Sequence, residues 1–454
     1  MLGVVTEGLV NKWQRKLEES PFLLALHAGF AAFWAYYATY AFRKPFSAAS
    51  YATVSFGWTW KADLSAKTVF VIAQVFGYGI SKYIGMRFCS ELKREQLGRA
   101  TIGLVLVGWL ALLGFALLPL PLKIVAIFLN GIPLGLVWGL IVRQLEGRNL
   151  SEILLAVLSC AYILASGQVK AVGKWLMVDK GVPEFWMPFV TGSLFIPVLL
   201  LSVWMLSLMR PPRQEEVMAR SARRILDLTG RRSFMRRFLP GMILLCFAYL
   251  FLTAYREVRD SYQSNLFDEM GIHDSGAFSR TEIQVAIGVM VALALISLVK
   301  DNRVALRCVY GLMISGLAIL CGSTWLYTHK KLGGEPWMIA TGLGVYLAYV
   351  PFGSVLFDRT IAATRFQGTA VFAIYVADAL GYTGSVGVQL YKEFFAKKQT
   401  WIGFFENFSY AMAIGGIPLM VLAMIYFLRL KPRTDPESLA QEDLPLNPGA
   451  ATEG

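Results

Sequence analysis

The sequence predicts an all-α polytopic membrane protein of twelve transmembrane helices arranged as two six-helix halves. Three observations carry that prediction. Of the 454 residues 56% are hydrophobic and only 16% charged, against about a quarter charged in soluble domains, and mean hydropathy is +0.53. Apolar runs near the roughly 20 residues a bilayer crossing needs recur twelve times. The one long interior break, 210–237, divides them six and six.

Taken in order, residues 1–20 read as a short basic amphipathic segment lying on the membrane surface. They lack the apolar core and small-residue cleavage site of a signal peptide. The spans follow at 21–44, 65–86, 99–119, 122–144, 151–177 and 184–209, then at 238–264, 281–300, 305–327, 336–357, 366–393 and 401–429. These edges define an N-terminal half (21–209), a basic linker (210–237), a C-terminal half (238–430) and a tail (431–454). The tail is polar and rich in Pro and Gly, which predicts disorder. Lys and Arg gather between alternate spans, with nine arginines in 210–237 alone. The positive-inside rule therefore places both termini and the linker in the cytoplasm. Contact with anionic lipid accounts for the same arginines, and 218–228 reads as an amphipathic helix on that surface. The formal net charge of +13 is thus a matter of topology, and the expected partner is the lipid bilayer, not nucleic acid. Six plus six spans further suggest parallel halves built from inverted three-helix repeats.

Five cysteines, Cys89, Cys160, Cys246, Cys308 and Cys321, are widely spaced and odd in number, with no metal-ligand spacing. They read as free packing thiols, and no cofactor is expected. No nucleophile motif or paired carboxylates point to an enzyme.

The chemistry concentrates where charge interrupts the apolar runs, because ionisable groups inside a membrane face a bundle interior or a pathway. The first span closes on Tyr40-Ala41-Phe42-Arg43-Lys44-Pro45-Phe46. Either Arg43 and Lys44 face a cavity, or they end the helix and snorkel to the headgroups. Tyr36 and Tyr40, four apart, share a face with hydroxyls available to a ligand. The second span adds Lys82 in Tyr78-Gly79-Ile80-Ser81-Lys82-Tyr83. The fourth carries Gly131 and Gly135, whose spacing fits close helix packing, then Trp138 and Arg143. The fifth carries Cys160-Ala161-Tyr162, then Lys170 and Lys174, which share a face and either line a wet cavity or mark the outer helix end; the second reading is preferred. The seventh repeats the charged pattern: Arg256, Arg259 and Asp260 point together, Asp260 expected to hold Arg256, with Glu257 turned away. The eleventh holds Asp378 with no cation near it in sequence, a residue suited to proton coupling or to a structural tie with the other half. Two arginines from opposite halves, with Lys82 near one, suit a small anion bearing phosphate, phosphonate, sulfonate or carboxylate, since guanidinium forms bidentate, charge-assisted hydrogen bonds.

These stretches resemble the major facilitator superfamily, and within it the organophosphate:phosphate antiporters. That family's first span carries Tyr-x-x-Arg-Lys-x-Phe, its second Tyr-Gly-x-Ser-Lys-Phe, and its fourth Gly, Gly, Trp and Arg. Residues 40–46, 78–83 and Gly131, Gly135, Trp138 and Arg143 are similar to them. In the fifth span Tyr162 stands where the family has histidine. Glu282 falls toward the end of its span and is set aside. The resemblance implies a substrate site formed by Arg43, Lys44, Lys82, Tyr36, Tyr40 and Tyr162 with Arg256 or Arg259, Arg256 being preferred. Asp378 and Asp260 are the candidates for proton coupling. It further implies a secondary transporter of a small organic anion working by alternating access, monomeric, in a bacterial inner membrane. A proton-coupled carrier of a carboxylate or amphiphile, and an organophosphate sensor that moves nothing, remain as alternatives.

Overall fold

The computed structural model describes residues 2–56, 64–145, 151–211, 228–364 and 370–430. The 212–227 part of the linker, most of the expected 218–228 surface helix, and the 431–454 tail lie outside them. Among the described residues there is no strand, and fifteen α-helices hold most of them. They are α1 Leu2–Glu19, α2 Pro21–Tyr40, α3 Ala66–Glu91, α4 Arg94–Leu117, α5 Leu120–Leu145, α6 Ser151–Val178, α7 Met187–Ser207 and α8 Leu228–Ser261. Then follow α9 Gln263–Glu269, α10 Gly276–Ser297, α11 Asn302–Thr328, α12 Gly334–Ser354, α13 Leu356–Thr364, α14 Ala370–Phe394 and α15 Trp401–Arg429.

Local chemistry sets the ends. Ser20 accepts a hydrogen bond from Leu23 N at 3.3 Å with Pro21 as the first helical residue, so α2 starts there. Asp301 caps α11 through Val304 N at 2.8 Å, and Thr400 caps α15 through Gly403 N at 3.0 Å. The first span ends earlier than the expected residue 44, because Pro45 cannot continue the backbone ladder and opens a 3₁₀ turn, Pro45–Ala48. The seventh expected span, α8, instead starts earlier than 238, its backbone being helical from Leu228 within the expected linker.

Nine of the described helices are long and apolar enough to cross a membrane, and a tenth crossing comes from α12 and α13, bent by 51°. α3 and α14 match them in length, at 26 and 25 residues, but fall outside that apolar set. Burial is inverted relative to a water-soluble domain. Phe22, Leu110, Leu201, Phe247 and Ile414 face outward, whereas Arg43, Lys44, Arg256 and Arg259 are buried. The chain is therefore an integral, multi-pass membrane protein.

The α3–α5 pair shows how closely the helices meet. A methyl group at Gly131 would lie 2.3 Å from the Gln74 carbonyl oxygen, so only glycine allows this crossing. Arg143 donates to the carbonyls of Leu92, at 2.8 Å, and Cys89, while Arg94 donates to Gln144 O at 3.1 Å. Arg143 thus meets orphan carbonyls at the end of α3, and Arg94 one at the end of α5. All five cysteines are free thiols, Cys89, Cys160 and Cys246 being buried.

Candidate functional site

The site begins with the broken end of α2. Beyond Tyr40 the chain makes one more turn, with Arg43 N and Lys44 N both bonded to Tyr40 O at 3.0 and 2.9 Å. Ending a helix inside the bundle strands its last carbonyls. A buried amide pair recovers them. Gln74 Nε2 donates to Arg43 O at 2.8 Å and to Asn130 Oδ1 at 2.7 Å, and Asn130 Nδ2 donates to Phe42 O at 3.1 Å. This fixes the backbone of Arg43 and Lys44, whose side chains are 2% and 1% exposed.

Those side chains meet α8. Lys44 Nζ lies 2.6 Å from Glu257 Oε1 and 2.7 Å from Asp260 Oδ2. Asp260 Oδ1 accepts from Lys170 Nζ at 2.8 Å and from the Ser166 hydroxyl, and Lys170 also donates to Gln263 Oε1 at 2.6 Å. Glu257 Oε2 is 3.2 Å from Arg256 Nη2 and 3.6 Å from Arg43 Nη2. Within this group four cations face two carboxylates. The Arg43 guanidinium lies over Tyr78, 3.7 Å from the ring centroid, and none of its nitrogens has a hydrogen-bond acceptor.

Beside the ionic layer is a cavity of about 60 Å³. Tyr36, Tyr40, Tyr78, Trp138 and Tyr162 line it from one side, Tyr249, Tyr349, Tyr382 and Arg256 from the other. Lys82 and Asp378 complete the wall, 3.5 Å apart, and Tyr249 donates to Asp378 Oδ1 at 2.5 Å. Arg256 sits 4.9 Å from the Tyr349 ring centroid, and Lys82 4.7 Å from that of Tyr78. The lining thus offers cations held against aromatic faces and hydroxyls that can donate.

On the far side of the ionic layer, further polar contacts join the same two sets of helices. Lys67 Nζ reaches Asn265 Oδ1 at 2.7 Å and the Ser264 hydroxyl. Thr68 donates to Glu393 Oε1 at 2.6 Å and accepts from Tyr262 at 3.1 Å, and Ser264 donates to Ser47 O at 3.2 Å. The bundle is closed at this end.

Of the ten expected site residues, Tyr36, Tyr40, Lys82, Tyr162, Arg256 and Asp378 line the cavity, and Arg43, Lys44 and Asp260 form the layer beside it. Arg259 lines neither, donating to Glu282 Oε1 at 2.7 Å and Met338 O at 2.8 Å. It joins the layer through Gln263, which donates to the same Glu282 oxygen at 3.1 Å and accepts from Lys170. Three expectations are corrected. Asp260 holds Lys44 and Lys170, not Arg256. Asp378, by contrast, makes the tie to the other helix set that was one of its two readings, with Lys82 as its partner 296 positions away in sequence. Lys170 is buried at the layer and does not mark a helix end. Glu257, taken as turned away, is fully buried at the layer's centre. Glu257 meets Arg256 itself as well as Lys44 and Arg43, because a long neighbouring side chain on the same helix can fold back to it. Tyr249 and Tyr349 were not anticipated; each is one aromatic in an apolar run, with no charge beside it to mark it. Glu282, set aside by position, is the buried partner of Arg259.

The site as a whole is a polar cavity between two sets of helices in a membrane bundle. Two solved structures share the fold: a D-xylose–proton symporter, at 16% identity and a TM-score of 0.58 over 90% of this chain and 98% of that one, and a mutant peptide transporter POT in complex with sulfate, at 13% and 0.58 over 88% and 94%. Likeness at this identity establishes the fold alone. The chain belongs to DUF5690, a family of unknown function whose sequence profile matches residues 45–430. No curated protein matches it.

Proposed function

We propose that this chain is a secondary transporter of a small organic anion, with phosphorylated compounds as the leading substrate class. Arg43 carries the reading. Its guanidinium is 2% exposed, without a hydrogen-bond acceptor, beside a cavity wall, in a group with more cations than acids. Glu257 at 3.6 Å balances its charge without meeting its N–H groups in hydrogen bonds, and buried donors left so are costly; a bound phosphate or carboxylate would supply bidentate acceptors to Arg43 and Arg256. Tyr36, Tyr40 and Tyr162 would donate to its oxygens and Lys82 would add charge. Exchange against inorganic phosphate follows the resemblance of residues 40–46 to the organophosphate antiporters. Asp378 supports a second, proton-coupled reading, since it is the acid of the cavity wall and its partner Lys82 belongs to the other helix set.

The proposed working parts are the halves 21–209 and 238–430, rocking about the cavity to expose it alternately. Both termini lie in the cytoplasm of a bacterial inner membrane on this proposal, which makes the closed end the outer one. The protein acts as a monomer.

The test is a thermal-shift screen of detergent-purified protein against small phosphates, phosphonates, sulfonates and carboxylates, since a ligand that binds only the folded form raises Tm. A phosphorylated hit should vanish in Arg43→Lys, because an ammonium cannot reproduce the planar fork. A hit unchanged in that variant removes the clamp. With the hit loaded in liposomes, phosphate counterflow separates exchange from a pH-driven flux that Asp378→Asn would abolish, and absence of any flux leaves only the sensor.

A further inference from the structure

A second and much larger hollow lies away from the ionic layer, in a groove of about 530 Å³ between α8, α11, α14 and α15. Its walls are apolar, with Phe251, Leu317, Phe408 and Leu419 among them. Along α15 the lining runs from Phe404 to Met420. That is about 24 Å at the helical rise, longer than the roughly 15 Å of one leaflet's hydrocarbon. At one end the lining turns polar, with Gln399 and Asn407. The loop there is an interfacial one: Phe394 is 48% and Phe395 81% exposed, and the exposed Lys397 and Lys398 immediately precede Gln399. Lys392 is not part of this free charge, because its ammonium is spent on Gln399 O at 3.0 Å.

We propose that this groove is a binding site for one acyl chain of an anionic phospholipid, whose headgroup rests on Lys397 and Lys398. Length, apolar lining and a cationic mouth at headgroup depth fit that occupant together. The groove also shares its walls with the functional cavity. On α8, Ala248, Phe251 and Leu252 face the groove while Tyr249 and Arg256 face the cavity. On α14, Val388 and Tyr391 face the groove while Asp378 and Tyr382 face the cavity. A lipid chain wedged there braces the two helices that hold Arg256 and Asp378. This inference is independent of the substrate reading.

Gly415 provides the test, because a Cβ there meets nothing within 4 Å and a larger side chain would grow into the groove without a clash. Full-length protein, delipidated in detergent, is titrated with phosphatidylglycerol and with phosphatidylcholine while Tm and bound lipid by native mass spectrometry are read. The native protein should retain one phosphatidylglycerol and gain more Tm from it than from phosphatidylcholine. Gly415→Leu should lose the retained lipid and the Tm gain. Lys397→Ser with Lys398→Ser, both in an exposed loop, should keep binding but respond equally to the two lipids, and this variant carries the test if Gly415→Leu does not fold. Equal responses of the native protein to both lipids, or undiminished binding by Gly415→Leu, would overturn the assignment. So would a change of oligomeric mass in Gly415→Leu, which would make the occupant a second copy of the chain.

Discussion

Glu257 is the residue on which most of the buried charge depends. Its two oxygens face Lys44, Arg256 and Arg43, and its side chain is 0% exposed. Breaking a buried ion pair by removing one partner costs about 3–5 kcal/mol, because the remaining charge is left uncompensated. Glu257→Gln should therefore lower the unfolding temperature in detergent, and Lys44→Met added to it should recover part of the loss; additive losses would deny the coupling. Lys82 and Asp378 make a milder case, 3.5 Å apart at the cavity wall. What the sequence let one read at this scale was the presence of charge inside apolar runs, which singled out Arg43, Lys44, Lys82, Arg256 and Asp378. Partners were not readable, because pairs such as Lys44–Asp260 and Lys82–Asp378 join helices far apart in the chain. Helical periodicity ranks the faces of one helix, and at α8 it misled, since Glu257 and Asp260 both meet cations.

Helices themselves were legible wherever hydropathy was high, as was the start of α2 after Ser20, although its end fell at Tyr40 and not at the expected 44 before Pro45. The bend between α12 and α13 was not legible, although Pro351 and Gly353 lie beside it, because a proline inside a membrane helix is often tolerated without a break. The small residues of α5 allow a sharper expectation. Gly131→Ala places a methyl against the Gln74 carbonyl, and Gln74 is the residue that ties down Arg43 O. Overpacking of this kind costs about 1–3 kcal/mol. Thermal unfolding should show that loss, and ligand affinity at the Arg43 site should fall with it. Unaltered Tm and affinity would mean that α3 and α5 can separate freely.

At the scale of the whole molecule, the closed end is held by polar contacts between helices before and after the 210–237 stretch, such as Lys67–Asn265, Thr68–Glu393 and Ser264–Ser47. Hydrogen bonds and ion pairs, unlike an interdigitated apolar seam, can be exchanged for water as an end opens. Joining Ser47→Cys to Ser264→Cys, with the exposed Cys308 replaced by Ser, should arrest flux under oxidation and release it under reductant. Flux that continues through the cross-link would show that this end does not open in the cycle. The surplus of positive charge in the ionic layer has an electrical consequence. Charge displaced across the full membrane is worth about 2.3 kcal/mol per elementary unit per 100 mV. Four cations against two carboxylates leave the empty layer carrying two such units. On the proposed transport cycle, a divalent anion seated there would cancel them, so the loaded protein would turn over without sensing the membrane voltage, whereas the return of the empty one would be driven or held back by it.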